Sequence, residues 1–457
     1  MQESKAGPAH RREGKMPVMN RWFLILRKED HMRRITVALA GLGSRGKDTY
    51  APVARLLPEK MEITAIADID EAKVEEVAKE YGVPKERCFS SAEEMLEQEK
   101  LADVMFIATQ DRQHVGQALP ALEKGYDLLL EKPVSPDLDE CRELLKSAAE
   151  KGRKVVVCHV LRYTPFYTKV KELIDSRVIG DVVTVMGIEN VGYWHQAHSF
   201  VRGNWRNSEI TSPMILQKCC HDMDLLLWLT GKTCDSVTSF GSTYLFKEEK
   251  APEGAAKRCL DGCKAKEGCP FDAEKIYITN EKTGIAHGKS DWPCNVLTLH
   301  PTEESVMEAI KTGPYGRCVY HCDNNVVDHQ VVNLNMTDGS TISFTMTGCT
   351  EENSRYAKFM GTKGEIEASL HSNLIIVRPF GKEKETIDVS KLSDDFSGHA
   401  GGDNRMVEQL LDMVREGTEP SHSMTTLEKS LESHYIALAA EQSRISGGKL
   451  IHLKDIR

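Results

Sequence analysis

The chain has 457 residues, 40% hydrophobic and 28% charged, with a formal net charge of −10. That length exceeds what one hydrophobic core organises, so two domains are expected, and no apolar run is long enough for a helix to cross a bilayer. The acidic balance, free of long blocks of like charge, argues against a nucleic-acid partner. Residues 1–31 read as an extension, disordered or not translated, in which Arg11, Arg12, Lys15, Arg21, Arg27 and Lys28 surround an apolar patch from Trp22 to Leu26 too short for a signal peptide. Lys28-Glu29-Asp30 can be encoded by purine-rich triplets like a bacterial ribosome-binding site. Translation is therefore expected to start at Met32, which the intact mass of natively expressed protein tests.

From Ile35 the sequence alternates short apolar runs with helix-length amphipathic segments, the pattern of a parallel sheet covered by helices. Ile35 to Ala40 is a buried-strand run leading into Gly41-Leu42-Gly43-Ser44-Arg45-Gly46, then a helix-length segment, then a second strand from Ile63 to Ala67. Asp70 is placed to cap a helix carrying Val74, Val77, Ala78 and Tyr81, with Gly82 as its stop. Ser91 with Glu94 forms a capping box. Further strands are expected over Asp103 to Thr109, Tyr126 to Leu130 and Lys154 to His159, completing a Rossmann domain over residues 32–159. Residues 160–457 form the second, α/β domain, with a cysteine-rich insertion at about 247–300.

In the glycine turn, Gly41 permits the tight bend, Gly43 lets backbone approach a pyrophosphate, and Gly46 lets helix pack on strand. With Ser44 and Arg45 these residues form the expected phosphate end of a dinucleotide site. Asp68, at the next strand end, suits a ribose 2′-hydroxyl and repels a 2′-phosphate, which favours NAD over NADP, although Arg45 leaves room for NADP. Glu131-Lys132-Pro133 follows a strand at the carboxyl edge of the sheet, where such folds bind ligands. Lys132 reads either as a group that handles a substrate proton or as a solvated lysine before a loop proline.

Gly41-x-Gly43-x-x-Gly46, Asp68, Thr109-x-x-x-x-His114 and Glu131-Lys132-Pro133 together resemble the glucose-fructose oxidoreductase and inositol dehydrogenase (Gfo/Idh/MocA) family. Gly180-Asp181-Val182, His221-Asp222-Met223-Asp224 and Gly361-Thr362-Lys363-Gly364-Glu365 extend the resemblance over nearly all the chain after Met32. The resemblance implies a C-terminal α/β domain with an open, mostly antiparallel sheet, one face lining the substrate pocket and another mediating homo-oligomers. It also implies a catalytic Lys132, a cofactor site shaped by Glu131 and Pro133 with Thr109 and His114, and His221 as the second proton-handling group. Many family members carry an aspartate four residues before that histidine. This chain has Gln217 and then Lys218 there, so either Lys218 supplies the charge or Lys132 and His221 suffice.

Val182 to Asn190 alternates as a strand, and Cys220 to Leu229 reads as a helix that places His221 and Asp224 near its start. Tyr193 to Arg206 is the densest mixture of aromatic and hydrogen-bonding groups in the chain, and sugars need both kinds of contact. Trp194, His195, His198, Arg202 and Trp205 are expected substrate contacts, with Lys218 and Asp224 beside them and Arg162 and Tyr163 closing the pocket from the cofactor side. His195-x-x-His198 is also compatible with a metal.

Thirteen cysteines, an odd number without a signal-peptide pattern, suit a reducing cytoplasm. Cys259, Cys263 and Cys269 with Cys322 can supply four thiolates, for which structural zinc is the favoured occupant and free thiols the alternative. Strands are expected over Val326 to Asn333 and Thr341 to Met346, turning at Asp338-Gly339. Asp403 reads as a helix N-cap and His399 as a possible ligand contact. These readings fit a soluble NAD-dependent oxidoreductase taking hydride from a ring hydroxyl of a sugar, glycoside or polyol, glycoside 3-oxidation included. A redox-neutral glycosidase that oxidises its substrate only transiently fits the same motifs. The presence of both Lys132 and His221 disfavours a silent NAD sensor.

Overall fold

The computed structural model describes residues 33–393 and 397–457, so the proposed start at Met32 and the extension before it lie outside the described residues. Six parallel strands form the first sheet: β1 (Ile35–Ala40), β2 (Met61–Ala67), β3 (Cys88–Phe89), β4 (Val104–Ile107), β5 (Asp127–Leu130) and β6 (Val155–Val157), in the order β3-β2-β1-β4-β5-β6. Every residue of β4 and β6 is buried and nearly every residue of β1, as a sheet covered on both faces requires. The covering helices end where local chemistry ends them. Asp70 accepts the Ala72 amide to start α1 (Glu71–Tyr81), and Gly82 closes it at φ 70° in the left-handed region. The Ser91 hydroxyl accepts the Glu94 amide, but the Glu94 carboxylate reaches back to Ser90 and not to Ser91. Helices α2 (His114–Glu123) and α3 (Leu138–Lys151) follow, the latter capped by Asp137, and then α4 (Pro165–Asp175).

The second sheet has nine strands: β7 (Val182–Gly192), β8 (Cys234–Ser242), β9 (His329–Met336), β10 (Thr341–Thr350), β11 (Ser354–Gly361), β12 (Gly364–Ser369), β13 (Leu374–Pro379), β14 (Glu385–Asp388) and β15 (Ile451–His452). Its order is β14-β13-β12-β11-β7-β10-β9-β8-β15, antiparallel throughout except for the β7–β10 pair. β9 begins three residues later than its hydrophobic run suggests, because Asp328 ends the preceding loop by accepting the Tyr244 and Leu245 amides. One sheet face buries Val185, Val332, Leu334, Ile342 and Phe344; Leu226 of α5 (Cys220–Thr230) comes close to Gly187 of β7, and α8 (Leu427–Ile445) packs on β8.

The two sheets share one apolar core. The Val157 amide donates to the Thr425 carbonyl at 2.8 Å, and α8 packs on both β6 and β8. Helix α7 (Gly402–Glu416) returns to the first sheet, where Lys60 pairs with Glu408 and Asp412. Between Ser242 and His329 the described residues contain no sheet strand, only short helical turns, one regular helix, α6 (Glu303–Thr312), and an isolated bridge of Arg258 to Arg317. This insertion has a core of its own, built on Phe246, Phe271, Ile276, Tyr277, Val306, Ile310 and Val319, which also takes in Ala197 and Val201. Among the described residues no helix is long and apolar enough to cross a membrane.

Candidate active site

The carboxyl edge of the first sheet is shaped by its glycine turn. Gly41 sits at φ 88°, and a Cβ there would lie 2.5 Å from the Ala108 carbonyl oxygen. A Cβ on Gly46 would come within 1.8 Å of the Gly41 carbonyl oxygen, whereas one on Gly43 meets no protein atom within 4 Å. Gly41 and Gly46 are therefore demanded by the turn itself. Gly43 is demanded by nothing in the protein, which leaves an open cradle of backbone at the start of the helical segment Ser44–Tyr50, the place where a pyrophosphate fits. Asp68 braces this loop, accepting the Leu42 amide on one oxygen and the Asp70 amide on the other.

Arg45 is engaged within the protein. Its guanidinium pairs with Glu131 and with Asp403 at 2.7 Å, lies beside His399 at 3.3 Å and stacks over Tyr50. Asp403 is thus not the N-cap of α7, a position held by Gly401; its carboxylate takes both the Arg45 guanidinium and the His399 ring. Burial alone would push the Asp403 carboxyl up, but the Arg45 and His399 charges overcome it and hold it far below the usual range. The same balance keeps the buried Glu131 carboxylate ionised: burial opposes, and Arg45 and Lys132 prevail. The Tyr50 hydroxyl donates to Glu131 as well.

Lys132 is not a solvated surface lysine. Its Nζ donates to the Gln217 carbonyl at 2.9 Å, across the boundary between the sheets. Gln217 ends the short helix Met214–Gln217, so that carbonyl lacks an intrahelical donor and attracts a cation. His114 Nδ1 holds the Pro133 carbonyl at 2.7 Å and its Nε2 lies 3.2 Å from the Thr109 carbonyl, fixing the backbone after Lys132.

His221 lies in the first turn of α5, buried, with its Nδ1 lacking any partner. Burial pushes its pKa well down, and the nearby Lys132 charge pushes it further, so the ring is neutral at pH 7. Its ring packs edge-on against His159 at 5.4 Å, and His159 packs against His434 at 5.8 Å. His434 Nε2 accepts the Val134 amide at 2.8 Å, so three imidazoles run from His221 back to the strand end that carries Lys132. Lys218 contacts the buried Glu189 at 3.4 Å, and Arg355 binds both Glu189 and Asp222. Burial raises Glu189 to about 7 against these cations, and it lowers Lys218.

The aromatic segment divides. Trp194 stacks on His195, and Trp292 from the insertion completes a half-exposed group, 5.1 Å from Trp194 and 4.8 Å from His195. His195 Nδ1 meets Asn353 at 3.0 Å. His198 turns the other way, bound to the Tyr277 hydroxyl and stacked on Tyr315, so the two histidines do not form a metal pair. Arg202 is buried in the insertion, donating to the Arg317 and Phe271 carbonyls. Trp205 Nε1 donates to Asp111 at 3.2 Å. Arg162 and Asp224 form a buried bidentate ion pair, and the Tyr163 hydroxyl accepts the Thr425 amide. The structure therefore brings Lys132, His221, Lys218, His195 and Trp194 to one region, and it uses Arg162, Asp224, Tyr163, His198 and Arg202 in packing.

The zinc expectation is not supported. Among the described residues no group of three or more His, Cys, Asp or Glu side chains is placed to hold a metal ion. Cys259, Cys263 and Cys269 do line one cavity, but the fourth thiol there is Cys318 and not Cys322, whose Sγ turns to the Cys318 carbonyl.

Residues 35–159 match the model of an oxidoreductase family with an NAD-binding Rossmann fold, and residues 171–450 match that family's C-terminal alpha/beta domain. The chain belongs to the Gfo/Idh/MocA oxidoreductase family. It is 24% identical over 396 residues to the putative oxidoreductase YteT of Bacillus subtilis, covering 82% of this chain and 88% of that protein. Inositol 2-dehydrogenase of Rubrobacter xylanophilus is 27% identical over 206 residues, covering 45% of this chain and 54% of that one. Among solved structures, an Agrobacterium radiobacter oxidoreductase in complex with NAD+, L-tartaric acid and magnesium superposes with a TM-score of 0.64 at 14% identity, covering 93% of this chain and all of the other. The WlbA dehydrogenase of Bordetella pertussis, in complex with NADH and UDP-GlcNAcA, gives 0.62 at 17% identity, covering 92% and 99%. These likenesses show the fold of this Gfo/Idh/MocA chain.

Several residues of the site escape sequence reading. Tyr50, His159, Glu189, Trp292, Asn353, Arg355 and His434 come from segments far apart in the chain. Only Glu189 carried a local signal, as a charged residue on the inward side of an alternating strand.

Proposed function

We propose that this chain is an NAD-dependent dehydrogenase that removes hydride from a hydroxyl-bearing ring carbon of a sugar, glycoside or polyol. The observation that carries this reading is the buried, unpartnered, neutral His221 Nδ1 in a region shared with the Lys132 amine, above the carboxyl edge of the dinucleotide-binding sheet. A buried imidazole nitrogen without a partner costs stability unless a ligand completes it, and a substrate hydroxyl supplies that bond. NAD, when bound, supplies the hydride acceptor. The Gly41–Gly46 turn with Ser44 would hold its pyrophosphate, and Asp68 its ribose. Glu131, with Arg45 behind it, fixes the Lys132 backbone, whose amide donates to Glu131 at 3.0 Å. Lys132 and His221 then hold the hydroxyl and take its proton as the carbon is oxidised. Gln217 cannot act as an acid, so the charge beside the pair falls to Lys218 with Glu189. Trp194, His195 and Trp292 offer ring faces to the apolar side of a sugar.

The redox-neutral glycosidase remains a specific second reading, because the insertion reaches the cofactor domain. Asn295 donates to Asp48 at 2.9 Å, and His300 lies 3.8 Å from Glu76. A bridge of this kind suits a dinucleotide that stays bound through many turnovers. A homo-oligomer is proposed through the outer sheet face, where Met186, Val331 and Phe240 are exposed on β7, β9 and β8.

A panel of glycosides and inositols with excess NAD, followed both for nicotinamide absorbance and for aglycone release, tests the proposal. Net reduction of the cofactor supports dehydrogenation; release without net reduction supports the second reading; neither outcome on any member refutes both.

A further inference from the structure

Resting on the reading of His221 and Lys132 as the pair that holds the reacting hydroxyl, we propose that His159 determines specificity. Its Nδ1–H holds the hydroxyl on the ring carbon beside the one oxidised, so the substrate is a ring with two neighbouring free hydroxyls. Among the described residues, His159 and His221 are the two histidines with a buried ring nitrogen that lacks a partner, Nδ1 in each. Their rings are in edge-on contact, with centroids 5.4 Å apart. His159 follows β6 at the carboxyl edge of the first sheet and is 1% exposed.

The hydrogen bonds place the proton of the His159 ring. Ser430, on α8, is fully buried, and its hydroxyl meets one partner, His159 Nε2, at 2.7 Å. A buried hydroxyl donates to the acceptor it has, and this nitrogen is the acceptor on offer, so Nε2 accepts. Burial and the nearby Arg162 and Lys132 charges push His159 well below the ordinary imidazole range, so the ring is neutral and its one N–H sits at Nδ1. His159 therefore buries a hydrogen-bond donor without an acceptor, which costs stability unless a ligand oxygen completes it. A neutral donor suits a neutral hydroxyl oxygen.

Histidines that serve packing in this fold look different. His434, next in the row, uses both nitrogens: Nε2 accepts the Val134 amide at 2.8 Å and Nδ1 donates to the Ser430 carbonyl at 2.9 Å. His114 likewise has both ring nitrogens at backbone carbonyls. Ser430 thus sets two tautomers at once, with its carbonyl for His434 and its hydroxyl for His159, and it leaves the His159 Nδ1–H uncommitted. Lys132 lies close enough to His159 and His221 to depress both rings. Hydroxyl oxygens on adjacent carbons offer two touching imidazoles the partners that both lack. A substrate without the second hydroxyl would leave the His159 donor buried and unpaired, the arrangement by which a site rejects an analogue.

The test uses full-length protein, excess NAD and the member of the glycoside and inositol panel that is turned over fastest. That compound is compared with its two monodeoxy analogues, each lacking the hydroxyl on one carbon flanking the oxidised one. For one analogue kcat/KM should fall by at least about a hundredfold. His159→Phe keeps a ring and removes the donor. It should lose most activity on the full substrate but little on that analogue, bringing the ratio to within about tenfold. His159→Asn, whose amide can donate from near the Nδ1 position, should restore part of the ratio. NAD affinity by calorimetry on the same samples reports folding, and where His159→Phe does not fold the parent's ratios decide. A ratio that His159→Phe leaves unchanged overturns the proposal, and so does a parent that turns over both analogues like the full substrate. A parent that turns over no panel member overturns the wider reading and this proposal with it.

Discussion

Replacing Gly43 by alanine separates the two roles that glycine plays in the turn. Gly43 has φ −74° and ψ −170°, a conformation any residue adopts, and the added methyl meets no protein atom within 4 Å. The apo protein should therefore be as stable as the parent or more so, by about 0.4–1 kcal/mol, because the unfolded chain loses freedom. The methyl occupies the cradle that backbone must leave open for a pyrophosphate, so NAD affinity should fall at least tenfold, about 1.4 kcal/mol. Gly46→Ala is the contrast. Its methyl would sit 1.8 Å from the Gly41 oxygen, where ordinary contact begins at 3.4 Å, and backbone must move at a cost of about 1–3 kcal/mol. Thermal unfolding of the apo proteins and calorimetric titration with NAD measure both quantities. A Gly43→Ala protein that binds NAD like the parent refutes the placement of the pyrophosphate.

Other predictions concern buried charge. His159, His198, His221 and His434 are all pushed below the ordinary imidazole range by burial, His198 and His434 to about 3. Below pH about 6.5 the unfolded chain takes up protons that these folded rings refuse, so stability is lost as pH falls, by up to about 1.4 kcal/mol per ring per pH unit. Denaturant unfolding at pH 7.5 and pH 5.5 should show that loss, and His434→Gln should lessen it; equal stability at both pH values contradicts it. Asp403→Asn leaves Arg45 with one carboxylate fewer and should lower stability at pH 7 by about 3–5 kcal/mol. Because the folded pKa of Asp403 is depressed, its contribution is present above about pH 4 and vanishes as pH falls through the folded value, so the variant and parent should converge in strong acid. A Trp292→Ala protein should bind substrate more weakly with unchanged NAD affinity, read as a raised KM; an unchanged KM removes Trp292 from the sugar platform.

The first sheet was legible because each buried strand ends at a residue with its own chemistry: Ala40 at the glycine turn, Ala67 at Asp68, Leu130 at Glu131. The second sheet was legible only in part. β7 alternates clearly, but β11 to β14 form a meander whose half-exposed residues, such as Lys358, Glu365, Glu367 and Arg378, hide the apolar rhythm behind cross-strand ion pairs. Of the expected site, Lys132 and His221 stand out because strand end and helix start announce themselves locally. Arg162 and Asp224 looked like substrate contacts for the same reason, as polar groups in an apolar setting. Whether such groups face a ligand or each other is decided by long-range packing, here 62 positions apart in the chain. Asp403 shows the same limit: its place just before the helix of Met406, Leu410 and Leu411 reads as a cap, while one of its partners, Arg45, comes from the other end of the chain.

Lys132→Met probes the whole account in one experiment. The substitution keeps the stem of the side chain and removes the amine, so the Gly41–Gly46 turn and Asp68 are untouched. Calorimetry should return an NAD dissociation constant within a few-fold of the parent, while turnover of the sugar that the substrate panel identifies drops by about 10²–10⁴. Parent-like turnover by this variant would contradict the assignment of the amine, and no measurable affinity of the parent for NAD would contradict the reading altogether.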